Sequence, residues 1–131
     1  MCGNQKFYIC KLCGNLIGLI VDNCPSLSCC GQKMVELVPN TVDASAEKHL
    51  PVVNVAGDSH GTVHIKIGST LHPMTDEHNI AFVYVETERG GQRKCLKTGE
   101  EPTLFFGFVD DKPIAVYAYC NLHGLWKTEI K

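Results

Sequence analysis

The chain has no histidine before residue 49, and only two of its eight cysteines, Cys95 and Cys120, fall after residue 30. It also has no long apolar run. Apolar stretches such as Leu16 to Val21 and Leu104 to Val109 fall far short of the roughly 20 residues a helix needs to span a bilayer, so no membrane partner is expected. Positive charge is not in excess either. A formal net charge of -2 leaves no basic footprint for nucleic acid, and any useful positive potential must be local. The segment Met1 to Lys11 lacks the basic stretch followed by an apolar stretch of a secretory signal, so the expected location is the cytoplasm, a reducing compartment. Sequence repeats and low-complexity tracts are absent, and 131 residues exclude a large multidomain enzyme.

In a reducing compartment a high density of cysteine points to metal or redox chemistry rather than to disulfides. Cys2, Cys10, Cys13, Cys24, Cys29 and Cys30 lie in the first 30 residues, whereas His49, His60, His64, His72, His78 and His123 all lie later. That segregation implies two chemically different sites. The turn residues Val38-Pro39-Asn40-Thr41 mark a boundary between Leu37 and Asp43, dividing the chain into residues 1–38 and 39–131. Below roughly 40 residues a fold needs a metal, disulfides or a partner chain, so the first piece needs a metal staple. Its short apolar segments, parted by Gly14, Gly18 and Gly31, suit strands and turns. In the second piece Val52–Val55, Gly61–Ile67, Ile80–Glu86, Leu104–Val109, Ile114–Tyr119 and Leu125–Ile130 read as strands. They are separated by turn clusters at Gly57-Asp58-Ser59, Gly90-Gly91, Gly99 to Pro102 and Asp110 to Pro113, the last expected to be a hairpin turn. The expected fold is all-β: a small metal module followed by an antiparallel β-sandwich.

Cys10-Lys11-Leu12-Cys13 has the spacing that lets one tight turn present two thiolates to one metal, and Gly14 follows where the turn needs backbone freedom. Cys29-Cys30 supplies a second half. Four thiolates point to iron or zinc. Adjacent residues of an extended chain point to opposite sides, so this pair can share a metal only where the backbone bends sharply. Pairing Cys24 with Cys29 or Cys30 is a competing assignment, and a structural zinc ribbon is the plainer reading, although ribbons repeat the two-residue spacing and this chain does not.

The run Phe7-Tyr8-Ile9-Cys10-Lys11-Leu12-Cys13-Gly14-Asn15 with Cys29-Cys30 resembles desulforedoxin, a rubredoxin-like module that binds iron through four cysteines. Downstream, Glu47-Lys48-His49-Leu50-Pro51-Val52, His72-Pro73-Met74-Thr75-Asp76-Glu77-His78 and Cys120-Asn121-Leu122-His123-Gly124-Leu125-Trp126-Lys127 resemble the three motifs of the superoxide reductase catalytic domain. Together they cover nearly the whole chain in the order of the desulfoferrodoxin family. The resemblance implies two iron ions per chain: one held by Cys10, Cys13, Cys29 and Cys30, the other by His49, His72, His78, His123 and Cys120. Cys2, Cys24 and Cys95 are then free thiols. It further implies an immunoglobulin-like sandwich for residues 39–131, reduction of superoxide to hydrogen peroxide without oxygen release, and a rubredoxin-like electron donor. Glu47 would occupy the sixth position of the ferric ion, and Lys48 would attract the superoxide anion and assist protonation.

The chemistry of the donors agrees. Five nitrogen and sulfur ligands exceed the four of a structural zinc and leave one position of a redox-active iron open. A thiolate among them donates electron density toward a bound oxygen species. His60 and His64 alternate with Gly61, Val63, Ile65 and Ile67, the pattern of a strand with one solvated face, and are read as surface residues. Trp126 and Tyr119 are read as core. A homodimer is expected, because so small a first module gains stability by burying its strands against a partner. The rival readings are an electron carrier, a zinc-stabilised binding module and a superoxide dismutase.

Overall fold

The computed structural model describes residues 2–23, 26–41, 46–55 and 61–130, with backbone only at residues 2, 3, 46 and 47. The turn residues Gly57-Asp58-Ser59, Cys24, His60 and the side chains of Cys2 and Glu47 lie outside the described residues. The chain divides into two compact units, Met1–Val38 and Pro39–Lys131.

In the first unit β1 (Cys2–Ile9) is the central strand, flanked antiparallel by β2 (Leu16–Val21) and by the short β5 (Val35–Glu36). A second pair, β3 (Ser28–Cys29) and β4 (Gln32–Lys33), forms a tight hairpin. Among the described residues, the buried apolar side chains of this unit are Phe7, Cys10 and Met34, a core too small to stand without a staple.

The second unit is a sandwich of two antiparallel sheets. After the four-residue helical turn α1 (Ala46–His49), β6 (Pro51–Val55) and β7 (Val63–Ile67) pair with β10 (Thr103–Phe106) in the order β10-β7-β6. The facing sheet has β8 (Ile80–Thr87), β9 (Gly90–Cys95), β11 (Pro113–Cys120) and β12 (Gly124–Glu129) in the order β12-β11-β8-β9. Strand side chains alternate between faces. Val63, Ile65 and Ile67 are accordingly sealed in the core while His64 and Lys66 are half-exposed. Across from them Val83, Val85, Val116, Ala118 and Cys120 complete the core with Phe106 and Phe108. Among the described residues no helix is long and apolar enough to cross a membrane.

Three local expectations are corrected. Asp110 to Pro113 is not a hairpin turn, because β10 pairs with β7 whereas β11 pairs with β8 and β12. The segment crosses between sheets. Its Asp111 carboxylate accepts from Thr87 Oγ1 at 2.6 Å, Arg89 N at 3.1 Å and Lys112 N at 2.9 Å, pinning the crossover to the β8–β9 turn. The strand expected to reach Val109 stops at Phe106. Gly90 and Gly91 begin strand β9, whose residues are all exposed and carry no apolar alternation. A side chain at position 91 would overlap the Tyr84 hydroxyl, so that close approach requires glycine. From this edge strand Gln92 and Lys94 donate to the carbonyls of Gly107 and Phe105, closing one side of the sandwich.

Strand pairing gathers three connections at one end of this unit. The start of β6 pairs with the end of β7 (Pro51 with Ile67), and the end of β11 pairs with the starts of β8 and β12 (Cys120 with Ile80 and with Gly124). Antiparallel pairing thus brings α1, the β7–β8 connection and the β11–β12 turn to the same pole of the sandwich.

Ile65 is fully buried and Phe105, on a neighbouring strand, is 63% exposed. Ile65→Ala is expected to lower the unfolding free energy by about 2–5 kcal/mol and Phe105→Ala by under about 1 kcal/mol. Denaturant titration followed by the fluorescence of the single tryptophan, Trp126, checks this, and equal effects would contradict the core assignment.

Candidate metal centres

Cys10 and Cys13 lie in the connection between β1 and β2. Cys10 N donates to Asn15 O at 2.8 Å and Gly14 N to Cys10 O at 2.8 Å, closing a tight loop that Gly14 completes at φ +85°. Cys29 ends β3, and Cys30 and Gly31 are the two central residues of the hairpin at φ +53° and +71°. Two successive positive φ values are the arrangement of a type I′ turn. For Cys30, a non-glycine residue, this is an uncommon conformation. It supplies the sharp bend that adjacent cysteines require.

The four sulfurs lie within 4.8 Å of one another. Cys13 Sγ is 3.7 Å from Cys29 Sγ, which is 3.9 Å from Cys30 Sγ. A tetrahedral ion with metal–sulfur bonds of about 2.3 Å has sulfur–sulfur edges of about 3.8 Å, so these side chains fit one metal. Electrostatics point the same way. The backbone N–H of Cys13 draws the Cys10 thiol down to about 6, whereas hydrogen bonding with the Cys13 sulfur holds Cys29 and Cys30 above the ordinary thiol range. Thiols this crowded do not all ionise unless a cation lies among them.

The second cluster lies in the sandwich. His49, at the end of α1, His72 and His78, from the β7–β8 connection, and Cys120, at the end of β11, present donor atoms within 4.8 Å of one another. His123, in the β11–β12 turn, joins through Nδ1, which is 3.0 Å from His49 Nε2 and 3.7 Å from Cys120 Sγ. Gly124 at φ +85° lets the chain turn there. His49, His72 and Cys120 are buried, and His123 is exposed.

His72 Nδ1 donates to Pro73 O at 2.7 Å, which leaves the Nε2 lone pair facing inward. Nε2 of His72 and Nε2 of His78 are buried without a hydrogen-bond partner. Leaving such an atom unsatisfied costs about 1–3 kcal/mol, and two of them beside a buried thiol fit a metal ion. Burial brings His72 down to about 4 and also lowers His78, where the neighbouring His123, His49 and Lys48 add to the effect. The imidazoles are thus held neutral, the form that binds metal.

Lys48 is exposed and acts on His78 through its charge. His64 stacks on Phe105 with ring centroids 4.5 Å apart, belongs to neither donor cluster and is a half-exposed residue of β7. Cys95 is an exposed free thiol on β9. Trp126 is buried, as expected of a core residue, and also forms a wall of the site: its ring stacks on His49 at 4.6 Å and 14°. Sequence reasoning misses Asn121, whose side chain links the two loops that carry His78 and Cys120. Its place between Cys120 and His123 is the only signal of that role in the sequence.

A family model described as Desulfoferrodoxin matches residues 41–129. The desulfoferrodoxin of Syntrophotalea carbinolica is 37% identical over 129 residues, covering 98% of this chain and 99% of that one. The superoxide reductase of Pyrococcus horikoshii is 31% identical over 104 residues, covering 68% of this chain and 90% of that one. Among solved structures, the superoxide reductase from Treponema pallidum matches with a TM-score of 0.82 and 34% identity, covering 96% of this chain and 98% of that one.

The burial of His72 has a consequence for stability in the metal-free chain. Its pKa is depressed from the usual 6.5 to about 4, so the unfolded chain takes up the proton first as pH falls. The stability contributed by the neutral imidazole is complete above about 6.5 and is lost as pH falls toward about 4. Unfolding free energies of the metal-free protein should decline across that window, with a flatter slope in His72→Gln. Identical slopes in the two proteins would contradict the burial of a neutral His72.

Proposed function

Because the chain belongs to the desulfoferrodoxin family, we propose that it is a superoxide reductase whose catalytic iron is held by His49, His72, His78, His123 and Cys120. The convergence of four imidazoles and one thiol at one end of the sandwich carries this reading. A second iron sits among Cys10, Cys13, Cys29 and Cys30. Residues 1–38 form the desulforedoxin-like module, and residues 39–131 the catalytic domain.

The reaction takes one electron and two protons to each superoxide and gives hydrogen peroxide. Held by these five side chains, a ferrous ion would supply that electron, and an external donor of the rubredoxin type would restore it. The side chains divide the remaining work. Cys120, sealed in the core, would bind the iron through its sulfur and raise the electron-donating power of the site. The Pro73 carbonyl fixes the orientation of His72, and the Trp126 ring fixes that of His49. Lys48 draws the anionic substrate toward a chain whose net charge is negative. Glu47 precedes it as a hard carboxylate ligand for the ferric state, its side chain lying outside the described residues. Two thiolate-bearing irons suit the reducing cytoplasm. The first module leaves Leu12, Ile20 and Val38 exposed, which favours a homodimer.

Lys48→Ile tests the steering role. The variant should react with superoxide more slowly than the parent at low salt, and the difference should shrink as salt is raised, because a steering field is screened. Rapid mixing that finds equal rates for both proteins at low and high salt would remove Lys48 from the mechanism.

A further inference from the structure

The loop that carries His78 and the turn that follows Cys120 are bridged by the side chain of Asn121. Asn121 Oδ1 accepts from Asn79 N at 2.9 Å, and Asn121 Nδ2 donates to Glu77 O at 2.9 Å. The backbone adds a third bond, from Asn121 N to Asn79 O at 3.1 Å. Residues 77 and 79 flank His78, so the amide grips the main chain on both sides of that imidazole. Asn121 itself follows Cys120 directly and stands two residues before His123. The far side of the His78 loop is laced separately: Thr75 Oγ1 accepts from His78 N at 3.1 Å, and Asn79 Nδ2 donates to Thr75 O at 3.0 Å.

From this bracket we infer that Asn121 is a positioning residue, setting the distance and angle between the Cys120 sulfur and the His78 ring. The inference rests on the reading that these side chains hold iron. The chemistry requires an amide. One carbonyl oxygen and one NH2 group must face an N–H and a C=O at once, and among residues of this length only asparagine offers both. Aspartate keeps the acceptor for Asn79 N but turns lone pairs toward the Glu77 carbonyl. Alanine loses both contacts. Either change leaves the backbone bond in place and frees the loop to shift by a fraction of an ångström. That is enough to alter the overlap of a thiolate with a metal, because groups that orient ligands govern affinity as well as geometry.

The test uses the full chain loaded with iron, the variants Asn121→Ala and Asn121→Asp, and Leu122→Ala as a control on the same turn, where Leu122 is 61% exposed. Two quantities are read: the visible and electron paramagnetic resonance signature of the ferric histidine and cysteine site, and the rate at which a chelator removes its iron. Both Asn121 variants should shift the thiolate-to-iron absorption band and lose iron roughly tenfold faster than the parent. Leu122→Ala should match the parent in both. If Asn121→Ala fails to fold, Asn121→Asp decides alone. Variants that keep the parent's spectrum and release rate while melting at a lower temperature would overturn the inference and leave Asn121 a purely structural residue. A parent chain that takes up no iron at these five side chains would instead overturn the proposed function, and the inference with it.

Discussion

Buried imidazole nitrogens with no hydrogen-bond partner are the constraint on which the rest of this structure depends. Nε2 of His72 and of His78 are both in that state, beside a fully buried Cys120. Outside proteins, water would satisfy such atoms. Here both atoms are buried, and a metal ion can take the place of water. The fold accepts that cost because the inward faces of the strands beneath are apolar and their pairing brings the donor-bearing segments to one end. The same buried surroundings that make the unpaired donors unfavourable disfavour protonation of His72 and His78 and make a thiolate an effective electron donor once a metal is present.

The two units gather their donor atoms by different means. The sandwich uses topology: α1, the β7–β8 connection, the end of β11 and the β11–β12 turn deliver His49, His72, His78, Cys120 and His123 to one pole. The small unit has no such scaffold. It uses local backbone conformation, with Gly14 shaping one cysteine loop and the pair Cys30 and Gly31, both at positive φ, shaping the other. A left-handed cysteine is a strained residue that persists only where its surroundings over-determine it, and four sulfurs around one ion supply that determination. Metal and fold are therefore linked more tightly in the first unit, whose core holds few apolar side chains, than in the second.

Much of this is legible in the residues themselves. The separation of early cysteines from late histidines announces two centres, and the alternation around Val63, Ile65 and Ile67 reports a strand with one sealed face. What is not legible has physical reasons. β9 is an exposed edge strand that begins with two glycines and carries charges, so it has no apolar period to detect. Asp110 to Pro113 has the composition of a hairpin turn, but which strands pair across it is decided by long-range register. Sequence spacing shows that Cys29 and Cys30 need a bend without saying where it comes from. The roles of Trp126 and Asn121 depend on partners far away in sequence, His49 for the one and Glu77 and Asn79 for the other.

A reductase site gives its electron to superoxide and takes none back from it. A known quantity of superoxide supplied to the reduced, iron-loaded protein with excess donor decides the matter, with peroxide, oxygen and donor consumption measured together. About one peroxide per superoxide, one donor electron consumed and little oxygen is the outcome expected of a thiolate-bearing ferrous site served by an outside donor. Oxygen released at about half the superoxide consumed, faster than in the protein-free control, would mean that a second superoxide supplies the electron, and the site would then be a dismutase rather than a reductase.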